Sequence, residues 1–104
     1  MDKEIKNKWI EALRSGKYQQ GCHYLRGPTG DRYCCFGVLC DILDLGWDRR
    51  TELGTWACEG FCGWPPPTIQ TIIQDETALQ HLVRMNDDEK NPFSIIADYI
   101  EERL

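Results

Sequence analysis

Apolar residues recur along this chain at helical spacing in three places. Ile5, Trp9, Ala12 and Leu13 form one 3.6-period stripe. Asp2 is placed to cap that first helix, and Ser15-Gly16-Lys17 closes it. Cys35, Val38, Leu39, Ile42 and Leu43 repeat the pattern, so a second helix begins near Phe36 and ends at Leu45-Gly46-Trp47. Phe93, Ile96, Ala97, Ile100 and Leu104 mark a last helix that exposes Ser94, Asp98, Glu101 and Glu102, with Asn91 as its N-cap and Pro92 at its first position. Between them, Thr68 can cap a helix carrying Ile69, Ile72 and Ile73, followed by Leu79, Leu82 and Val83; Asp75 offers a second start, so the 68–85 region is one helix or two. Asn86 suits a left-handed helix end, and Asp87-Asp88-Glu89-Lys90 reads as a polar turn.

Two segments break the helical period. Cys22-His23-Tyr24-Leu25-Arg26 and Arg32-Tyr33-Cys34-Cys35 flank the turn-forming Gly27-Pro28-Thr29-Gly30-Asp31 and predict a small hairpin. The stretch from Trp47 to Pro67 holds Trp47, Trp56, Trp64 and three successive prolines, a composition too aromatic for a passive linker and typical of a binding element. The expected architecture is a small single α+β domain over residues 1–104, mainly helical with a short β-hairpin, in which the first, second and last helices pack their stripes together.

Charge narrows the range of partners. With 12 lysines and arginines against 17 aspartates and glutamates the formal net charge is −5, and no basic block is present to neutralise a phosphate backbone, so nucleic acid is not an expected partner. Neither an apolar leader nor a membrane-length run occurs, which predicts a cytoplasmic protein without a membrane partner. In that compartment the six cysteines are expected as reduced thiols.

Three chemistries compete for the polar and aromatic residues. Zinc is conceivable because Cys58 and Cys62 could meet Cys22, His23 or the Cys34-Cys35 pair, yet no C-x-x-C occurs and Cys35 and Cys40 lie in an apolar helical pattern, where thiols act as small hydrophobes. A cysteine hydrolase would require His23 or His81 as its base, and neither has a context that marks it; no catalytic residue, metal or cofactor is assigned. A small-molecule pocket fits better. Tyr18, Gln20, Tyr24, Arg26, Arg32, Trp47, Trp56 and Trp64 all lie in loops, strands or element ends, where rings, guanidinium groups and an amide can hold a nucleotide-like ligand. The same tryptophans could instead form a patch that binds a host protein.

The motifs Trp9-Ile10-Glu11-Ala12-Leu13-Arg14-Ser15-Gly16-Lys17-Tyr18-x-Gln20-Gly21, Tyr33-Cys34-Cys35-Phe36-Gly37-Val38-Leu39-Cys40-Asp41, and Met85-Asn86-Asp87 followed by Phe93 and Ile96-Ala97-Asp98-Tyr99-Ile100-Glu101 resemble a family of small uncharacterised phage proteins. Phe36 and Met85 stand where that family usually has leucine, both apolar exchanges that a core tolerates. The resemblance leaves the Trp47 to Pro67 segment unmatched and supplies no catalytic residues. It implies a phage setting and a host-cell cytosol, where small proteins often counter host defence. The expected function is therefore a non-enzymatic binding protein that sequesters a nucleotide-derived immune signal. In it Arg26 and Arg32 face phosphates, Trp56 or Trp64 stacks on a base, Tyr18 adds a ring, and Gln20, Asn86 and Asp87 bond ribose or base edges. The alternatives are an interaction module that inhibits a host protein through its Trp-rich segment, and a structural zinc-binding domain. A homo-oligomer with pockets between protomers is compatible with each.

Overall fold

In the computed structural model, which describes residues 1–50 and 54–104, Asp2 accepts a hydrogen bond from Ile5 N at 2.9 Å and starts helix α1, Lys3–Arg14. Trp9, Ile10 and Leu13 form its buried face, and Gly16 at φ +76° turns the chain away. Helix α2, Cys35–Ile42, is capped by the Cys34 sulfur, which accepts Gly37 N at 3.4 Å, and buries its first six residues. Trp9 Nε1 donates to Cys35 O at 2.9 Å and so fixes the two helices against each other.

The hairpin expected over residues 22–35 is not the main strand pairing there. Strand β1, Gln19–Gln20, runs parallel to β2, Arg32–Tyr33, and from the 22–26 segment only Arg26 bridges Tyr33. The physical reason is that the backbone before Arg26 leaves this pairing: His23 turns to φ +69° and Leu25 N donates to Cys62 O, so the two segments meet only through Cys34 N to Leu25 O and Gly27 N to Arg32 O around the Arg26 bridge. The antiparallel hairpin lies instead in the Trp-rich segment, where β3, Asp48–Arg50, pairs with β4, Thr55–Ala57. Residues 51–53 of that segment lie outside the described residues.

After the prolines the chain forms two helices, not one. Helix α3, Pro67–Ile73, ends at Gln74 in the left-handed conformation, and Asp75 caps α4, Glu76–Asp87, by accepting Ala78 N at 3.0 Å. Thr68 is not the cap of α3; Pro66 holds that position, and the Glu59 carboxylate takes both Thr68 N and Thr68 Oγ1. Asn86 is not a left-handed helix end either: it lies in the last turn of α4, and the positive φ falls at Lys90. Helix α5, Phe93–Arg103, starts after Pro92 as N-cap, one residue later than Asn91 would place it.

The result is α+β, mainly helical, with two small two-stranded sheets. One apolar cluster joins Trp9 and Leu13 of α1, Phe36, Val38 and Leu39 of α2, Leu79 and Leu82 of α4, and Ile96 and Ile100 of α5. Along its rim Arg14 reaches Asp98 at 2.7 Å and Glu101 at 3.4 Å, tying α1 to α5.

Candidate functional site

Arg26 is the residue that joins the two sheets. It bridges Tyr33 of β2 on one side and Trp56 of β4 on the other, with Trp56 N donating to Arg26 O at 3.1 Å, and Trp56 in turn pairs with Arg49 of β3. Directly paired residues on neighbouring strands share a face, so pairing alone builds a row Tyr33, Arg26, Trp56, Arg49. The side chains fill it out. The Arg26 guanidinium carbon lies 4.6 Å from the Trp56 ring centroid, 5.3 Å from Tyr33 and 5.5 Å from Trp47, while its Nε donates to Gly30 O at 2.8 Å. Arg49 approaches the same Trp56 ring at 5.5 Å from the other strand.

Tyr18 closes the end of the row. Its ring meets Tyr33 edge-on at 5.0 Å, and Tyr33 meets Trp47 at 6.1 Å. Asp41, on α2, accepts from Tyr18 Oη at 2.6 Å and from Trp47 Nε1 at 3.1 Å, so both of its oxygens orient rings. Burial, followed by the neighbouring Asp41 carboxylate, pushes the Tyr18 phenol above its ordinary range, and the same two causes raise Tyr33. Beyond Tyr18 an open groove of about 450 Å³ runs between Lys8, Glu11 and Ala12 of α1, Lys17, and Ile42 of α2. One polar atom in the row is left over: Trp56 Nε1 is buried and has no hydrogen-bond partner among the described residues.

A second cluster gathers Gln20, Asn86 and Asp87, and it faces inward. Asn86 is fully buried; its Oδ1 accepts from Gln20 Nε2 at 3.0 Å and Cys35 N at 3.2 Å, and its Nδ2 donates to Gly21 O and Asp87 Oδ1, each at 2.9 Å. Gln20 also donates to Asn91 O at 2.7 Å, and Asp87 Oδ1 accepts His23 N at 2.9 Å. These amide and carboxylate groups hold the 20–23 segment to α2 and α4 and satisfy one another.

The residues singled out from the sequence therefore separate. Tyr18, Arg26 and Trp56 come together in the aromatic row, and Gln20, Asn86 and Asp87 in the buried network. Arg32 follows the strand alternation to the side opposite Tyr33, is exposed, and donates to Gln20 O at 3.3 Å. Trp64 packs half-buried against the core. Arg49, Tyr33 and Asp41 were not picked out by sequence reasoning. Arg49 had a usable signal, since any hairpin through this segment sets some residue opposite Trp56, but no local sequence pattern gives the register. Asp41 looked like an ordinary helix residue.

The cysteines are free. Burial pushes the Cys34 thiol up to about 12 and raises Cys35, Cys40 and Cys58, which keeps these four as neutral hydrophobes. Among the described residues no group of three or more histidine, cysteine, aspartate or glutamate side chains gathers as a metal site would require, and no helix is long and apolar enough to cross a membrane.

The family model of a domain of unknown function, DUF8296, matches residues 1–63, more than half of the chain. The chain belongs to this family. The whole aromatic row, from Tyr18 through Arg26, Tyr33, Asp41, Trp47 and Arg49 to Trp56, falls inside the matched residues, whereas Trp64, Asn86 and Asp87 lie beyond them. No curated protein and no solved structure matches the chain.

Proposed function

We propose that this protein is a non-enzymatic binder that sequesters a small anionic, nucleotide-derived immune signal, acting from a phage against host defence in the host-cell cytosol. The observation that carries the reading is the pair of guanidinium groups on Trp56, at 4.6 and 5.5 Å from its ring, in a chain whose net charge is −5. Arg26 is built in, held by Gly30 O and three rings; Arg49 is exposed and free to leave the ring. A base can take the place of Arg49 against Trp56, and the released guanidinium can then pair with the phosphates of the same ligand. Tyr18 and the adjoining groove extend the apolar wall of the site.

A docking patch for a host protein would present exposed tryptophan. Trp47, Trp56 and Trp64 are half-buried, and Ile95 at 46 % is the exposed large hydrophobic residue among those described. The small-ligand reading fits these exposures better.

Calorimetric titration with cyclic nucleotides and ADP-ribose derivatives tests it. We expect saturable binding by at least one of them, weakened by Arg49→Ala and by added salt, with the ligand recovered intact after denaturation. Absence of heat and of any thermal shift across the panel overturns the reading, and recovery of a cleaved ligand replaces the binder with an enzyme.

A further inference from the structure

Resting on that reading, the geometry points to an oxyanion seat beneath the Gly27–Gly30 turn: we propose that Trp56 Nε1 and the Arg26 guanidinium together bind a phosphate oxygen of the ligand. Trp56 Nε1 is an unmatched donor among the described residues. A buried indole N–H without an acceptor is costly, and a bound acceptor accounts for its place in the fold. Here the donor sits beside a cation, so an acceptor that satisfies both must be able to carry negative charge.

The two donors also converge beside Gly30. A Cβ on Gly30 would stand 3.4 Å from Arg26 Nη2 and 3.5 Å from Trp56 Nε1, so both nitrogens lie against the side of the turn that glycine leaves without a side chain. Gly30 holds φ +83°, and its carbonyl already orients the guanidinium through Nε. The closing bond of the turn runs from Gly30 N to Gly27 O at 2.9 Å, with Pro28 and Thr29 exposed between. The seat therefore lies under this turn, which is anchored by Gly27 N donating to Arg32 O at 2.9 Å and is exposed at Pro28 and Thr29. Arg49 stands across the Trp56 ring as a third source of positive charge. The acidic neighbour is Asp31, and its carboxylate is engaged by Thr29 Oγ1 within the turn.

The ligand class follows. The recognised element is a phosphate, and the base contributes stacking in exchange for Arg49; a nucleoside without phosphate should bind poorly.

Nitrogen-15 labelled protein separates the outcomes, because each of the four tryptophans contributes one indole N–H signal. Adenosine monophosphate, a cyclic dinucleotide and unphosphorylated adenosine are titrated in parallel. The expected result is a shift of the Trp56 indole signal with the phosphorylated ligands and not with adenosine, and at least about tenfold weaker binding by Trp56→Phe, the size of one lost charge-assisted hydrogen bond. Phosphorylated ligands that bind with an unmoved Trp56 indole signal, or adenosine that binds equally well, overturn the seat and leave the binder standing. No binding by any phosphorylated nucleoside overturns both.

Discussion

At the scale of single residues, Asn86 and Gly37 set the strictest demands. Asn86 is the buried polar side chain of the described core, and all of its amide atoms are engaged. Asn86→Ala strands the Gln20 amide, Cys35 N and Gly21 O, and should lower the unfolding free energy by at least about 3 kcal/mol in urea titrations. Asn86→Asp should be no better, since its second oxygen would face Gly21 O and the Asp87 carboxylate. Gly37 is required for a different reason: a Cβ there would lie 1.8 Å from Leu25 O, and backbone cannot yield that far. Gly37→Ala should therefore abolish cooperative unfolding or push α2 off the 25–26 segment, visible as lost near-ultraviolet dichroism. Neither role is legible in the sequence. Asn86 reads there as a helix terminator, because the pattern of a helix end does not reveal that an amide is directed into a pocket of backbone groups from three separate segments.

Elements were legible where their own side chains define them. The stripes of α1, α2 and α5 depend only on spacing, and they stand as read, because burying an apolar stripe dominates local preference. Ends and pairings that depend on distant partners were not legible. Glu59 is nine residues before Thr68 yet takes its N–H at 2.9 Å, doing for α3 what a local cap would do. That contact holds the Glu59 carboxyl below its ordinary value of 4.5, the larger cause being the Thr68 hydroxyl. A depressed folded value means that the stabilisation is complete above the unfolded value and is lost as pH falls through the folded one. Glu59→Gln should accordingly lower stability most at neutral pH and flatten the acid limb of a stability-against-pH curve, the variant and wild type converging as pH falls below about 4.5. At the start of α4, Asp75→Ala removes both the bond to Ala78 N and the ion pair with Arg103, and should cost about 1 kcal/mol in chemical denaturation. The β3–β4 hairpin escaped sequence reading because its strands are three residues each and carry no alternation long enough to count.

On the scale of the whole molecule, the cysteines divide by depth. Cys34, Cys35, Cys40 and Cys58 are buried with raised thiols, while Cys22 and Cys62 are only partly covered. A thiol reagent at neutral pH should therefore label Cys22 and Cys62 first and reach the other four only at the rate of unfolding, as peptide mapping would resolve. Part of the candidate site was legible at this scale too. Tyr18, Arg26 and Trp56 stand out in the sequence by residue type and loop position alone, and the fold brings them into one row through strand pairing that no local pattern announces. Arg32 matched Arg26 in type, but strand alternation turns it away, and Arg49 takes the second cationic place.

The central claim is that this row holds a phosphorylated, nucleotide-derived ligand intact. Native mass spectrometry of the protein recovered from a defence-active host lysate tests it most directly, with denaturation to release and identify whatever is bound. The account predicts an added mass that is released unchanged as a phosphorylated nucleoside derivative and is lost from Trp56→Phe. A clean unliganded mass from wild-type protein exposed to that lysate would contradict it.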